Sequence, residues 1–415
     1  MFGTFKEKLG KETLRTSSRE QGGPAVSTMP SILHVVHSEK LYGAEQSLLR
    51  LVEGLKKRGY KSVVVMPRAG PLSQRFQELG VPVVFIPSIK PWLTNAQGIK
   101  RVLYNLYQIY YIILSVRQIR NTIRQHNIDL VHTITAVVID GAIAARLTGI
   151  PHVWHIQEVI RPGIRRNFFL GAGVAWRIID YLSAKVIAIS KAVAAPYIGD
   201  QSKLTIVYHG VDFGTFKPLS GMETVRQTFG LLPEWPLVGL LAQIHPGKRQ
   251  EDFVKAAAFV HPLFPDARFL VIGGDLSSAY GQYVQTLSRQ LDTADHMVWT
   301  GFLENPLPLL QQLDIAVLPS KEEPFGIVVI EAMATGKPVI GTLSGGIPEI
   351  ILDGETGLLV PLESPADLAQ AIVLLLQDPD KACAMGQAGR RRVEKYFSLD
   401  QYVENVEKVY QEVLR

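Results

Sequence analysis

Two doubly wound α/β domains are the architecture that this 415-residue sequence predicts. Three observations carry that expectation. The chain is well above the usual size of one domain, so two separate cores are expected. Short runs rich in Val and Ile alternate with longer helical patterns, the mark of parallel sheets covered by helices on both faces. The alternation occurs twice, on either side of a Gly- and Pro-rich stretch without a strong period.

Taken in order, residues 1–28 hold five basic and three acidic residues among Gly, Ser and Thr and no apolar run, which reads as a flexible leader. The first domain is expected over 29–212, with strands at Ile32–Val36, Ser62–Met66, Val81–Ile86, Leu130–Thr133, Val153–His155 and Val186–Ile189. His209–Pro236 is the linker and the start of the second domain, which is expected over 213–397. Its strands are Leu237–Leu241, Phe269–Ile272, Met297–Thr300, Ile315–Leu318 and Val339–Gly341. Over 398–415, Tyr402, Val406, Val409 and Val413 recur at helical spacing, so a terminal helix is expected to pack back on the first domain.

A formal net charge of +5, from 43 basic and 38 acidic residues, favours anionic ligands without calling for nucleic acid, and no nucleic-acid partner is expected. The single cysteine, Cys383, excludes an intramolecular disulfide and makes a reducing, cytoplasmic location the simplest reading. The longest apolar run, Val102–Val116, falls short of the roughly 20 residues that span a bilayer and is interrupted by Asn105 and Gln108. No G-x-G-x-x-G follows a first strand, and Gly336-Lys337-Pro338 lacks the Ser or Thr of a P-loop.

In open parallel sheets, ligands sit beyond the carboxyl ends of the strands, so two facing sheets create a cleft lined by their loops. After the strand Ile315–Leu318 the chain reads PSKEEPFGIVVIEAMATGKP, with a helix starting near Gly326 and ending at Gly336. The free amides and dipole of such a helix suit a diphosphate, and a glycine at 326 allows close backbone approach. Glu323 and Glu331 are roughly 12 Å apart along a helix rise, too far to form one catalytic carboxylate pair. Their separation fits two hydroxyl-bearing groups on either side of a diphosphate, as in a sugar nucleotide. A solvated loop glutamate plus an ordinary helix glutamate is the alternative.

The run PSKEEPFGIVVIEAMATGKPVIGTLSGGIPEIILDGETGLLV, Pro319–Val360, closely resembles the donor-binding segment of glycosyltransferase family 4, whose fold is GT-B, and weaker features of that family occur in order from Ser31 to Phe397. The resemblance implies a retaining transferase that takes a nucleotide diphosphate sugar as co-substrate, with no cofactor and no metal. It places Glu323 on the donor sugar, the amides of Phe325, Gly326, Ile327 and Val328 on sugar and phosphate, and Glu331 on ribose. Within LAQIHPGKRQEDFVKAA, Lys248 matches the family's diphosphate lysine; Gln243 stands where an arginine is usual, losing charge and bidentate reach, and Arg249 is the candidate to compensate. In HSEKLYGAEQSLLRLV, Gly43, Ala44 and Glu45 match the family's glycine-rich loop, and Gly43 is expected to offer an amide to the donor, while Tyr42 replaces a common glycine. His155, in HVWHIQEV, is similar to the histidine beside the donor sugar, although the family's following acid is here Ile156 and Glu158 is left without a role. His209 replaces a common asparagine, and Ser190, Gly210 and Asp212 read as structural.

The acceptor is expected to be a glycan or a lipid-linked sugar. Lys90, Lys100, Arg101, Arg117, Arg120 and Arg124 flank a tyrosine-rich apolar helix, and Arg161, Arg165, Arg166 and Arg177 lie beside Phe168, Phe169 and Trp176. Basic residues beside aromatics suit an anionic membrane surface and peripheral attachment on its inner face; a buried helix with basic ends, next to a cationic acceptor cleft, is the alternative. Two rival functions share this architecture: a nucleotide-sugar epimerase and a non-catalytic sugar-nucleotide-binding protein.

Overall fold

The computed structural model describes residues 29–94, 98–160, 167–168, 171–216 and 223–415. The leader 1–28, linker residues 217–222, and Arg161, Arg165, Arg166 and Phe169 lie outside these residues.

The first sheet comprises β1 (Ser31–Val35), β2 (Lys61–Met66), β3 (Val83–Phe85), β4 (Leu130–Ile134), β5 (His152–Ile156), β6 (Lys185–Ala188) and β7 (Leu204–Ile206). They are all parallel, in the order 3-2-1-4-5-6-7. The second sheet comprises β8 (Leu237–Leu241), β9 (Arg268–Ile272), β10 (Met297–Gly301), β11 (Ile315–Leu318), β12 (Val339–Thr342) and β13 (Leu358–Val360). It repeats the same winding, 10-9-8-11-12-13. Both orders are that of doubly wound nucleotide-binding sheets, whose ligand crevice opens where the strand order reverses, between the first strand and the fourth.

All eleven predicted strands form. The predicted strand at Val81–Ile86 shrinks to Val83–Phe85. β7 and β13 were not expected: each has three residues at a sheet edge, too few to print a period. A two-residue antiparallel pair, Leu93–Thr94 with Asn167–Phe168, was also not expected; its Phe168 packs 4.9 Å from the buried Trp92 ring.

Four helices matter below: α1 (Gly43–Lys57), α2 (Gly98–Gln125), α3 (Ile327–Ala334) and α4 (Leu399–Leu414). α4 packs on α1. Tyr402, Val403, Val406, Val409 and Tyr410 join Leu48, Leu51, Val52 and Leu55 in one buried cluster, and a Cβ on Gly54 would lie 2.5 Å from Val403 Cγ2, so the two helices touch through a glycine. The last helix thus completes the core of the first domain. Ser398 starts it, its hydroxyl accepting from the Gln401 amide at 3.2 Å.

The chain crosses between domains beside its own return strand. Val211 N donates to Phe397 O at 2.9 Å and Leu399 N donates to Val211 O at 3.0 Å. A Cβ on Gly210 would lie 2.3 Å from Ser398 O, which is why the crossing needs glycine. Tyr208, His209, Phe325, Phe397 and Tyr402 fill this crossing with ring contacts of 5.4–5.8 Å.

Candidate active site

A cavity of about 310 Å³ lies between the domains. The second domain builds the more constrained wall. Beyond β11, the loop through Glu323 is held against the loop after β12: Thr342 Oγ1 donates to Ser320 O at 2.7 Å, Glu322 N to Ser344 Oγ at 3.1 Å, and Gly346 N to Glu323 O at 2.8 Å. Gly345, at φ 60°, approaches so closely that a Cβ would lie 2.0 Å from Glu323 O. Gly326, at φ 109°, turns the chain into α3, leaving the Ile327 and Val328 amides without intrahelical acceptors at the cavity.

Opposite, α1 begins at Gly43. A Cβ there would lie 3.4 Å from Ile327 Cδ1, so two helix N-termini converge on one space from the two domains. Both ends carry positive partial charge, which a diphosphate complements.

Lys248 comes from the turn after β8. The His245 ring accepts from Gly247 N at 3.0 Å, and Lys321 N donates to Gly247 O at 2.8 Å, tying that turn to the Glu323 loop. The Lys248 ammonium donates to the Glu323 carboxylate, so these two expected donor-site residues are brought together as an ion pair. Gln243 is exposed and also lines the cavity.

Three expected site residues lie elsewhere. His155 does not line the cavity: it is still inside β5, fully buried, stacked on His132 at 5.3 Å and close to Tyr402 at 6.2 Å. Burial drives its pKa down to about 3, so it is a neutral core imidazole. Gln157, the first polar residue past the strand, lines the cavity instead, with Glu158 next to it. The Glu158 carboxylate accepts from Thr135 Oγ1 and from the Ala136 amide at 2.9 Å, closing the turn after β4. Arg249 is directed away from the cavity, because the acids of the helix it precedes capture it: Asp252 at 2.8 Å and Glu251 at 2.6 Å, with Glu363 at 3.6 Å. Glu331, on α3 itself, is buried and is not among the residues lining the cavity; it accepts from Arg50 Nη2 of α1 at 2.9 Å, and burial raises its pKa while the Arg50 charge opposes that.

Arg50 and the cavity-lining His209 carried no site role in the sequence reading. His209 Nε2 donates to Gln157 Oε1 at 2.9 Å, leaving Nδ1 to accept from Ser47 at 2.6 Å. Burial first, then the neighbouring His155 and Arg50, hold its pKa well below the ordinary range. The sequence signal for His209 was its place at the domain crossing. Arg50, one more polar residue on an amphipathic helix, gave none.

The family model described as Glycosyl transferases group 1 matches residues 222–392, and that described as Glycosyltransferase Family 4 matches 42–214. The GDP-mannose-dependent alpha-(1-6)-phosphatidylinositol monomannoside mannosyltransferase of Mycobacterium tuberculosis is 30% identical over 306 residues, 68% of this chain and 76% of that protein. The chain is a family 4 glycosyltransferase. The alpha-maltose-1-phosphate synthase of Mycolicibacterium smegmatis is 29% identical over 304 residues, 66% of the glycosyltransferase and 76% of that relative. Among solved structures, Anabaena HepE in complex with UDP-glucose superimposes with a TM-score of 0.77 at 22% identity, covering 92% of this chain and 99% of its own. A Rickettsia africae glycosyltransferase gives 0.79 at 21%, covering 93% and 99%. The fold of this glycosyltransferase is therefore GT-B, and the epimerase and non-catalytic readings give way to sugar transfer.

Proposed function

We propose that this glycosyltransferase moves a sugar, with retention of anomeric configuration, from a nucleotide diphosphate sugar to a lipid-linked acceptor at an anionic membrane surface. The observation that carries the donor half is the cavity between two helix N-termini with Lys248 and Glu323 on its wall. The diphosphate would take its hydrogen bonds from the Ile327 and Val328 amides and its counter-charge from Lys248, while Glu323 accepts from sugar hydroxyls. The leaving diphosphate, stabilised by these groups, takes the acceptor proton as the acceptor oxygen attacks on the same face. With Glu331 held by Arg50 and Glu323 by Lys248, neither carboxylate is set up as a free nucleophile for double displacement. Relatives and structural neighbours named for GDP-mannose and UDP-glucose make these the donors to test first. Calorimetry with each, followed by NMR of the product's anomeric proton, checks the proposal; absence of binding to any nucleotide sugar, or an inverted product, would refute it.

The membrane half rests on α2. Leu103, Leu106, Tyr107, Tyr110, Ile113 and Leu114 form an exposed stripe at helical spacing, with exposed Lys100 before it and Arg117 and Arg124 after it. An interfacial helix has this build, apolar in the middle and basic at the ends. No helix among the described residues is long and apolar enough to cross a membrane. Phe168 and Trp176, expected beside the second basic stretch, are buried in the core and take no part. Sedimentation with phosphatidylglycerol vesicles at low salt should retain the protein, and Leu106→Ser with Ile113→Ser should release it; no binding at low salt would sink the membrane reading.

A further inference from the structure

Beside the cavity the two domains are joined by a seam of four hydrogen bonds, each donated by the first domain and accepted by the second. Ser190 Oγ donates to Pro324 O at 2.5 Å. The two amides that follow, Lys191 N and Ala192 N, donate to Oε2 and Oε1 of Glu349 at 2.8 and 2.9 Å, and the Tyr208 hydroxyl donates to Oε2 at 2.9 Å. Ser190 is fully buried, and its hydroxyl also accepts from Val193 N at 3.0 Å, so its proton is directed at Pro324. On the second domain both acceptors belong to the frame of the donor loop. Glu349 stands three residues beyond Gly346, whose amide holds Glu323 O at 2.8 Å, and a Cβ on Gly346 would lie 2.6 Å from Pro324 O. Arg392 fixes that turn from within its own domain, donating to Ile350 O at 2.6 Å and Glu349 O at 3.0 Å. The Lys191 and Ala192 amides begin a helical turn and have no intrahelical acceptor, so without Glu349 they and Tyr208 lose their partner at the domain boundary.

We infer that Ser190 and Glu349 are positioning residues for the donor site: through them the first domain holds the loop Glu323–Val328 in its binding geometry, so the site is complete only while the two domains are seated on one another. The inference rests on the donor reading above, which places the nucleotide sugar against that loop. Neither side chain lines the cavity, and each acts through the backbone it holds. The Ile327 and Val328 amides follow Pro324 by three and four residues. Gly326 between them, at φ 109°, has no side chain to fix the turn, so the hold on the Pro324 carbonyl sets the direction of those amides. Donor binding and domain seating are then linked, and each strengthens the other by the same factor.

The full chain and its Ser190→Ala, Ser190→Thr and Glu349→Gln variants would be compared by hydrogen–deuterium exchange without ligand, and by calorimetry with UDP-glucose and GDP-mannose. Loss of charged hydrogen bonds predicts that Glu349→Gln raises the donor Kd about 10- to 100-fold, and loss of one neutral bond that Ser190→Ala raises it about 3- to 10-fold. In both variants the Phe325–Val328 amides should exchange about tenfold faster, with the strands of both sheets within about twofold of wild type. Ser190→Thr keeps the hydroxyl and recovers most of the loss. Because the bonds form one seam, Ser190→Ala with Glu349→Gln should lose less than the product of the two single effects. Should Glu349→Gln fail to fold, Ser190→Ala carries the same test, since it leaves the Glu349 bonds in place. The inference is overturned if the variants bind both donors as tightly as wild type, if exchange rises equally through both sheets, or if the losses multiply in the double variant. Failure of the wild-type chain to bind either donor overturns instead the donor reading; loop exchange, measured without ligand, then decides by itself whether the seam holds the loop.

Discussion

The two walls of the cavity are built on opposite principles. On the second domain the polar groups come from one contiguous loop and one turn, Glu323–Val328 and Lys248, and the backbone there is fixed by hydrogen bonds to its own amides and carbonyls and by glycines that admit no side chain. On the first domain the groups come from α1, the end of β5 and the domain crossing, and they are held by side chains: Ser47, His209 and Gln157 in a buried hydrogen-bond chain. Backbone-held groups are pre-organised before a ligand arrives. Side-chain-held groups change with single substitutions.

The comparison is broken most directly at Lys248. If the second wall holds the diphosphate, Lys248→Ala should lower kcat/KM by about 10²–10³-fold without changing the melting temperature; an unchanged rate would move the donor elsewhere. Next in size is Arg50→Ala, which leaves Glu331 buried and unpaired between the domains and should cost roughly 3 kcal/mol in denaturant unfolding. Arg50→Ala with Glu331→Gln should recover part of that loss, and failure to do so would show that the arginine acts through Phe216, whose ring lies 5.4 Å away.

Acid acts on the two domains unequally. His34, His152 and His155 are fully buried in the first sheet with pKa values lowered to about 3 by burial. Above pH 6.5 each is neutral whether folded or not. Below that, the unfolded chain takes up protons that the fold excludes, so stability is lost as pH falls from about 6.5 toward 3. A pH series of thermal melts should show the first domain weakening first; melting of the second domain ahead of it would contradict this. The smallest expected effect is that of a chelator, with transfer retained within about twofold in EDTA, because Lys248 and helix amides are proposed to take the diphosphate charge; a loss of about tenfold would place a metal in the site.

Several features of this glycosyltransferase were readable from the chain alone. Alternating Val- and Ile-rich runs marked eleven strands because a parallel strand buried on both faces must be apolar along its length. Tyr402, Val406 and Val409 marked α4 because one helix face had to be buried. The Pro319–Val360 run marked the second wall because its geometry is local, with glycines and a strand-to-helix turn adjacent in sequence. Tertiary structure decided the rest. His155 and Gln157 differ by two residues, and only the end point of β5 tells which one leaves the sheet and meets the cavity. Arg249 and Lys248 are neighbours of equal charge, yet the acids of the following helix take one while Glu323 takes the other. Glu331 met Arg50, 281 positions away in the chain, because packing two domains together fixes which charges find one another. That choice depends on distances between separate elements, which no local pattern of residues encodes.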